Sequence, residues 1–255
     1  MYDKYNYKEI IYPNGQKEIR YYSTPVQRNQ VKKPLEVSKQ ALPTFSNRSL
    51  KCSINRSKNS IYDLTRSNKW DYFVTLTFSD KNDRTDYDLL LKKLTKWINN
   101  IKSRYAPDLK YIIVPEQHNR IESNGKRAYH FHGLISNIGN LSLIPAMSKN
   151  GNPIIKNHMQ VYNIKHYTLG YSTATQVQDT YKVSNYITKY ISKALCCVQK
   201  GKRRYLTSKN LEKPIITEHF YNLELPNFPE NPTYIKKTEV KVNGFRNTVT
   251  YLHYD

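Results

Sequence analysis

Ala128-Tyr129-His130-Phe131-His132-Gly133-Leu134-Ile135 is the stretch on which the reading of this chain turns. Its apolar residues and short span predict a β-strand. Successive side chains of a strand point to opposite faces. His130 and His132 therefore share one face, and Phe131 points the other way, into a core. Neutral imidazole is a good ligand for divalent metals, so the pair is a candidate metal site. A lone histidine is more often a satisfied surface or core residue; the same-face pair is what raises the reading.

The neighbouring segments supply partners for that strand. Lys110 to Gln117 predicts a second strand, and Asn119 to Lys126, with Asn124-Gly125 inside it, predicts the hairpin loop between the two. Such a hairpin brings Glu116 beside the histidines. A carboxylate completes a mixed nitrogen and oxygen site suited to Mg2+ or Mn2+. His118 shares a strand face with Glu116 and is the rival third ligand; the harder oxygen of Glu116 better suits a metal used in phosphoryl transfer. Upstream, Trp70 to Phe78 predicts a buried strand in which Thr75 and Thr77 face away from Val74, Leu76 and Phe78. The two threonines can line the metal face, although β-branched residues are also ordinary strand formers. Leu90, Leu94, Trp97, Ile101 and Tyr105 form one apolar stripe on a helix that starts at Thr85 or Asp86 and is ended by Pro107. Leu50, Ile54, Ile61 and Leu64 mark an earlier helix, with Arg48, Lys51, Arg56, Lys58 and Arg66 among them. That is either a solvated face or a phosphate contact.

Downstream, Tyr186-Ile-Thr-Lys189-Tyr190-Ile-Ser-Lys193 falls in a helix expected from about Asp179 to Leu195. Tyr186 and Tyr190 lie one turn apart on one face, and each is followed three residues later by a lysine. A tyrosine hydroxyl, with its pKa near 10, is a poor nucleophile until its anion is stabilised by an ammonium or a metal. The tyrosine spacing alone carries little, because Tyr167 and Tyr171 show it too. The doubled Tyr-x-x-Lys after a histidine pair is the stronger signal.

Composition sets the class. The chain has 255 residues and a formal net charge of +21, with a pI near 9.7. A protein this basic usually meets a polyanion, since its cations displace counterions condensed on phosphates. The 23 tyrosines, against 7 phenylalanines and 2 tryptophans, suit stacking on unpaired bases or filling a half-wet sheet surface. Cys52, Cys196 and Cys197 make neither a CxxC pair nor a disulfide framework, which fits a reducing compartment and argues against structural zinc. The amino terminus is too polar for a signal peptide, and no apolar run approaches the ~20 residues of a membrane span. A soluble cytoplasmic protein without membrane contact is the expectation.

The ends read as hairpins: Tyr7 to Tyr22 around Pro13-Asn14-Gly15, and Val240 to Tyr251 around Asn243-Gly244. Thr24 to Asn47, with Pro25, Pro34 and Pro43 among lysines, reads as a basic linker. Met159 to Ile164 is a possible short strand. The expected organisation is an N-terminal hairpin and linker over 1–46, a principal domain over 47–214 and an accessory hairpin over 215–255. Strand, helix, hairpin and helix in that order predict an α+β fold on a central antiparallel sheet.

These motifs in this order resemble the HUH endonucleases (histidine-hydrophobic-histidine), and more narrowly the rolling-circle replication initiators of phages and plasmids. Trp70 to Phe78, Tyr111 to Glu116, His130 to Leu134, Val183 to Lys193 and, more loosely, Gly201 to Pro214 carry the likeness. It implies a ferredoxin- or RRM-like sheet of about five strands, flanked by helices, with the histidine pair on a central strand. It implies His130, His132 and Glu116 as ligands of Mg2+ or Mn2+, Tyr186 and Tyr190 as nucleophiles and Lys189 and Lys193 as stabilising cations. Thr75, Thr77, Arg203 and Arg204 are then expected at the DNA. The implied activity is nicking and joining of single-stranded or hairpin origin DNA through a 5′-phosphotyrosine, freeing a 3′-OH primer. Host helicase and polymerase would be partners, in a bacterial host cell. A plasmid relaxase or single-strand transposase shares that chemistry, and a non-catalytic nucleic-acid binder would need only the basic, tyrosine-rich surface.

Overall fold

The computed structural model describes residues 4–27, 47–122, 124–178, 187, 204–222, 228–242 and 245–255. The chain divides into two compact units. One is Ser46–Leu211; the other joins the ends, Met1–Phe45 with Glu212–Asp255.

The larger unit is a sheet-dominated α+β fold. Its described elements, in chain order after two strands of the other unit, begin with α1 (Asn47–Arg66), β3 (Tyr72–Phe78) and α2 (Tyr87–Arg104). β4 (Lys110–Ile121) and β5 (Arg127–Ser136) follow, and then the short β6 (Leu143–Pro145), β7 (Ile155–Lys156), β8 (Met159–Gln160) and β9 (Tyr162–Ile164). β10 (Gly170–Gln176) and β11 (Leu206–Thr207) complete it. Among the described residues seven strands form one antiparallel sheet in the order β11-β4-β5-β3-β10-β9-β6, and β7 and β8 pair separately. The sheet is wider than the expected five strands; β9 lies in the Met159 to Ile164 stretch expected as a short strand, whereas β6 and β11, of three and two residues, were not expected. Segments that short carry no readable periodicity.

The two faces of this sheet differ. Val74, Leu76, Phe131, Ile135, Ile113 and Ala174 point to one side and pack with Leu90, Leu94, Trp97, Ile98 and Ile101 of α2. That helix forms where its apolar stripe predicted. Asp86 caps it by accepting from the Leu89 N–H, and Trp97 Nε1 donates to the His166 carbonyl at 2.8 Å. The other side is apolar over only half its length, where Ile112, Val114 and Leu134 pack with Ile54 and Ile61 of α1, Trp70, Ile187 and Leu211. The last carbonyls of α1 are satisfied locally. Thr65, Ser67 and Asn68 each donate a side-chain hydrogen bond four residues back, and Trp70 Nε1 donates to the Thr65 carbonyl at 2.9 Å.

Among the described residues the second unit is a five-stranded antiparallel sheet. It uses β1 (Lys4–Ile11), β2 (Lys17–Gln27), β12 (Ile215–His219), β13 (Tyr234–Val242) and β14 (Phe245–Tyr254). The strands of each terminal hairpin flank the expected Asn-Gly, of which Asn243-Gly244 lies outside the described residues, and the β2–β14 pairing makes them one sheet. β2 runs through Pro25 to Gln27, beyond the expected start of the linker; the Asn247 side chain there bonds both the N–H and the carbonyl of Thr24. Tyr7, Ile19 and Leu252 form this unit's apolar cluster with Tyr221, Phe228 and Tyr254. Among the described residues no helix is long and apolar enough to cross a membrane.

Candidate metal centre

Beside the second apolar cluster, the same face of the sheet carries two cross-strand rows that are polar apart from Val114, a member of the cluster. Antiparallel register sets Tyr171, Thr77, His130 and Glu116 side by side across β10, β3, β5 and β4. The next row holds Thr173, Thr75, His132 and Val114. Directly paired residues share a face, so both histidines and Glu116 converge as the hairpin reading requires. The β4–β5 hairpin achieves this with less loop than expected. β4 continues to Ile121, its register slips between Gln117 and Ile121, and a turn with Gly125 at φ 73° closes it.

Gly133 lets the strands approach this closely. A Cβ on it would lie 2.7 Å from the Ile112 carbonyl oxygen and 2.8 Å from Ile113 Cγ1. The residue between His132 and Leu134 therefore has to be glycine for β4 to sit where Glu116 reaches the histidines.

Glu116, His130 and His132 bring one ligand atom each into a common cluster. His130 Nε2 lies 2.8 Å from His132 Nε2 and 3.0 Å from Glu116 Oε2, and His132 Nε2 lies 2.7 Å from the same oxygen. Three ligands on one octahedral metal at about 2.1 Å would stand about 3.0 Å apart, so a triangle with these edges fits a small divalent ion. The side chains are only 9–16% exposed. Thr75 Oγ1 lies 3.1 Å from His132 Nδ1. A proton on Nδ1 donated to that hydroxyl leaves the Nε2 lone pair turned into the cluster, the arrangement by which ligating histidines are oriented. His130 Nδ1 is buried and has no hydrogen-bond partner among the described residues. The Phe73 ring stacks on His132 at 5.7 Å. His118 is not in the cluster; its ring packs against that of His130 with centroids 4.3 Å apart.

Both imidazoles are held neutral. Burial, then the charges of His132 and His118, pushes the His130 pKa down to about 4 against the opposing pull of Glu116. Burial likewise lowers His132; Glu116 opposes, and His118 and Lys156 add to the fall. Neutral imidazoles and a carboxylate are the protonation states that metal binding needs. The donor set fits a bound divalent cation.

The other expected residues fall as follows. Thr75 is turned to His132, and Thr77 stands half-buried opposite His130. Arg204 is buried, 8% exposed, just before β11. Tyr186, Lys189, Tyr190, Lys193 and Arg203 lie outside the described residues. Ile187, which follows Tyr186 in the chain, is helical and fully buried in the apolar cluster on the cluster-bearing face. Sequence reading passed over Lys156, whose charge reaches His132. It also read Tyr171 only as one of a chance tyrosine pair; the signal for both is tertiary register.

Fold and site together define a sheet-based protein with a histidine–carboxylate cluster able to hold a metal ion on one face of its sheet. Residues 71–195, which contain all of that cluster, match a family model for replication-associated proteins of the ORF2 type. That likeness is consistent with a role in initiating replication. No curated protein and no solved structure gives a match.

Proposed function

We propose that this chain is a rolling-circle replication initiator of the HUH type, a metal-dependent endonuclease that nicks and rejoins single-stranded DNA. The observation that carries the reading is the Glu116–His130–His132 triangle, inside the stretch that resembles replication-associated proteins. The burial of Ile187 on that same face supports Tyr186 and Tyr190 as nucleophiles. A net charge of +21 supports a polyanionic partner. A non-catalytic binder would have no need of the triangle.

Glu116, His130 and His132 would hold Mg2+ or Mn2+. A divalent cation bound there would polarise a phosphate oxygen and offset charge developing on the phosphate. Thr75 keeps His132 in the ligating tautomer. The oxygen of Tyr186 or Tyr190 attacks the scissile phosphorus and loses its proton, forming a tyrosyl O–P bond as the P–O3′ bond breaks. The products are a 5′-phosphotyrosine and a free 3′-OH that can prime synthesis. Lys189 and Lys193 stabilise the phenolate or the phosphate. The second tyrosine can attack a newly made origin strand, and the released 3′-OH can reverse the link, which is joining. Host helicase and polymerase would extend the primer.

The test is the covalent adduct. Wild-type protein incubated with labelled origin-region single strands and Mn2+ should yield a protein–DNA species that maps by peptide mass to Tyr186 or Tyr190. The double variant Tyr186→Phe/Tyr190→Phe should bind DNA and give no adduct. An adduct that survives in the double variant moves the nucleophile elsewhere.

A further inference from the structure

Tyr171 is an exposed aromatic on an otherwise polar strand. It lies at the start of β10, is 76% exposed, and stands in the row that continues through Thr77 to His130 and Glu116. Two strand spacings of about 4.8 Å put its Cα roughly 10 Å from that of His130, on the same face and within the span of a nucleotide and its neighbour. At that exposure the ring buries little surface in the fold, and its face is available to a ligand. Its position is enforced. Gly170 stands where any Cβ would collide with the Thr77 carbonyl oxygen and the Ser79 nitrogen, so the β10 backbone is held close to the end of β3 at the residue before Tyr171.

A cation lies on a neighbouring hairpin. β8 lies against β10, and Lys156 of β7 pairs with Met159 of β8. Lys156 is exposed, and its strand is joined through β8 to the strand that carries Tyr171. An aromatic ring and an ammonium beside a phosphate-handling centre match the two chemistries of single-stranded nucleic acid, base faces and phosphates.

We infer that Tyr171 and Lys156 form a nucleotide-binding subsite beside the metal centre, in which a base of the single strand stacks on the Tyr171 ring and a phosphate pairs with Lys156. The subsite rests on the proposed reading of the centre as a single-strand nicking site and names how the flanking strand is held there. Because stacking uses the π-face that every base has, the subsite positions the strand without selecting its sequence. Thr173, exposed in the adjacent row, leaves room for the sugar–phosphate chain to pass.

The experiment is anisotropy of a fluorescein-labelled oligothymidylate, titrated with protein in chelator so that neither metal nor cleavage contributes. Tyr171→Ala should weaken binding about tenfold, the effect of losing one base stack, with its melting temperature unchanged. Tyr171→Phe, which keeps the ring, should bind within about twofold of wild type. Lys156→Gln should reduce the salt dependence by about one phosphate contact. Wild-type affinity in Tyr171→Ala overturns the stacking role, as does equal loss in Tyr171→Phe. An unchanged salt slope in Lys156→Gln overturns the phosphate role. Failure of the wild type to bind oligothymidylate overturns the subsite altogether. The nicking reading is judged separately, by the adduct: an adduct with no effect of Tyr171→Ala sinks the subsite alone, and the expected loss without any adduct sinks the nicking reading alone.

Discussion

At the scale of the residue, the centre depends on groups that prepare the ligands as well as on the ligands. Thr75 lies 3.1 Å from His132 Nδ1. Thr75→Val removes that partner while keeping the side chain's shape, and should weaken Mn2+ binding by about ten- to a hundredfold, with Thr75→Ser restoring it. Calorimetric titration reads this; equal affinity in the valine variant would remove Thr75 from the site. The histidines also make a pH prediction for the metal-free protein. Their folded-state pKa values are depressed, that of His130 from 6.5 to about 4. The unfolded chain therefore takes up these protons first. The stability owed to the neutral imidazoles is present above about 6.5 and is lost as pH falls toward 4. Denaturant unfolding across that window should show a shallower fall in His130→Gln than in wild type; identical slopes would contradict it. Of these residues, the sequence made His130, His132 and Glu116 legible, because the i, i+2 spacing and a hairpin are enough to converge them. Thr75 was legible only as one that faces the site. Glu116 was favoured over His118 for its harder oxygen; the register slip between Gln117 and Ile121 in the same hairpin is announced by no local pattern.

At the scale of the element, the strands and helices legible in the sequence are the strongly patterned ones. α2 follows its apolar stripe and its Asp86 cap, and β3, β4 and β5 follow their short apolar runs. β10 was not legible. Gly170-Tyr-Ser-Thr-Ala-Thr-Gln176 is polar enough to pass for a loop and becomes a strand by pairing with β3 along its whole length. The helix expected from Asp179 to Leu195 lies outside the described residues except for Ile187. The tightest fit among these elements is between β4 and β5 at Gly133. Gly133→Ala must push its Cβ against the Ile112 carbonyl, and should destabilise the protein by about 1–3 kcal/mol and loosen the metal site beside it. Thermal unfolding and Mn2+ titration of that variant check both effects; wild-type values in both would show that the backbone absorbs the methyl without cost.

At the scale of the whole molecule, a chain with a net charge of +21 builds one unit around the metal-capable face and another from its two ends. The hairpins at the ends were legible from Asn-Gly between alternating runs. Their union was not, because β1 with β12 and β2 with β14 are pairings of segments some two hundred residues apart, and register at that separation is set by the folded whole. The claim on which everything else depends is that the Glu116–His130–His132 face cuts DNA with a bound cation. The measurement is a denaturing gel of end-labelled single-stranded DNA from the origin region of the chain's own replicon. Wild type and His132→Ala are each incubated with Mn2+ or with chelator. The expected result is a cleaved strand and a slow-migrating covalent species for wild type with Mn2+ only, while His132→Ala still binds the DNA by its distributed cations. Cleavage by His132→Ala, or wild-type cleavage undiminished in chelator, would contradict the account.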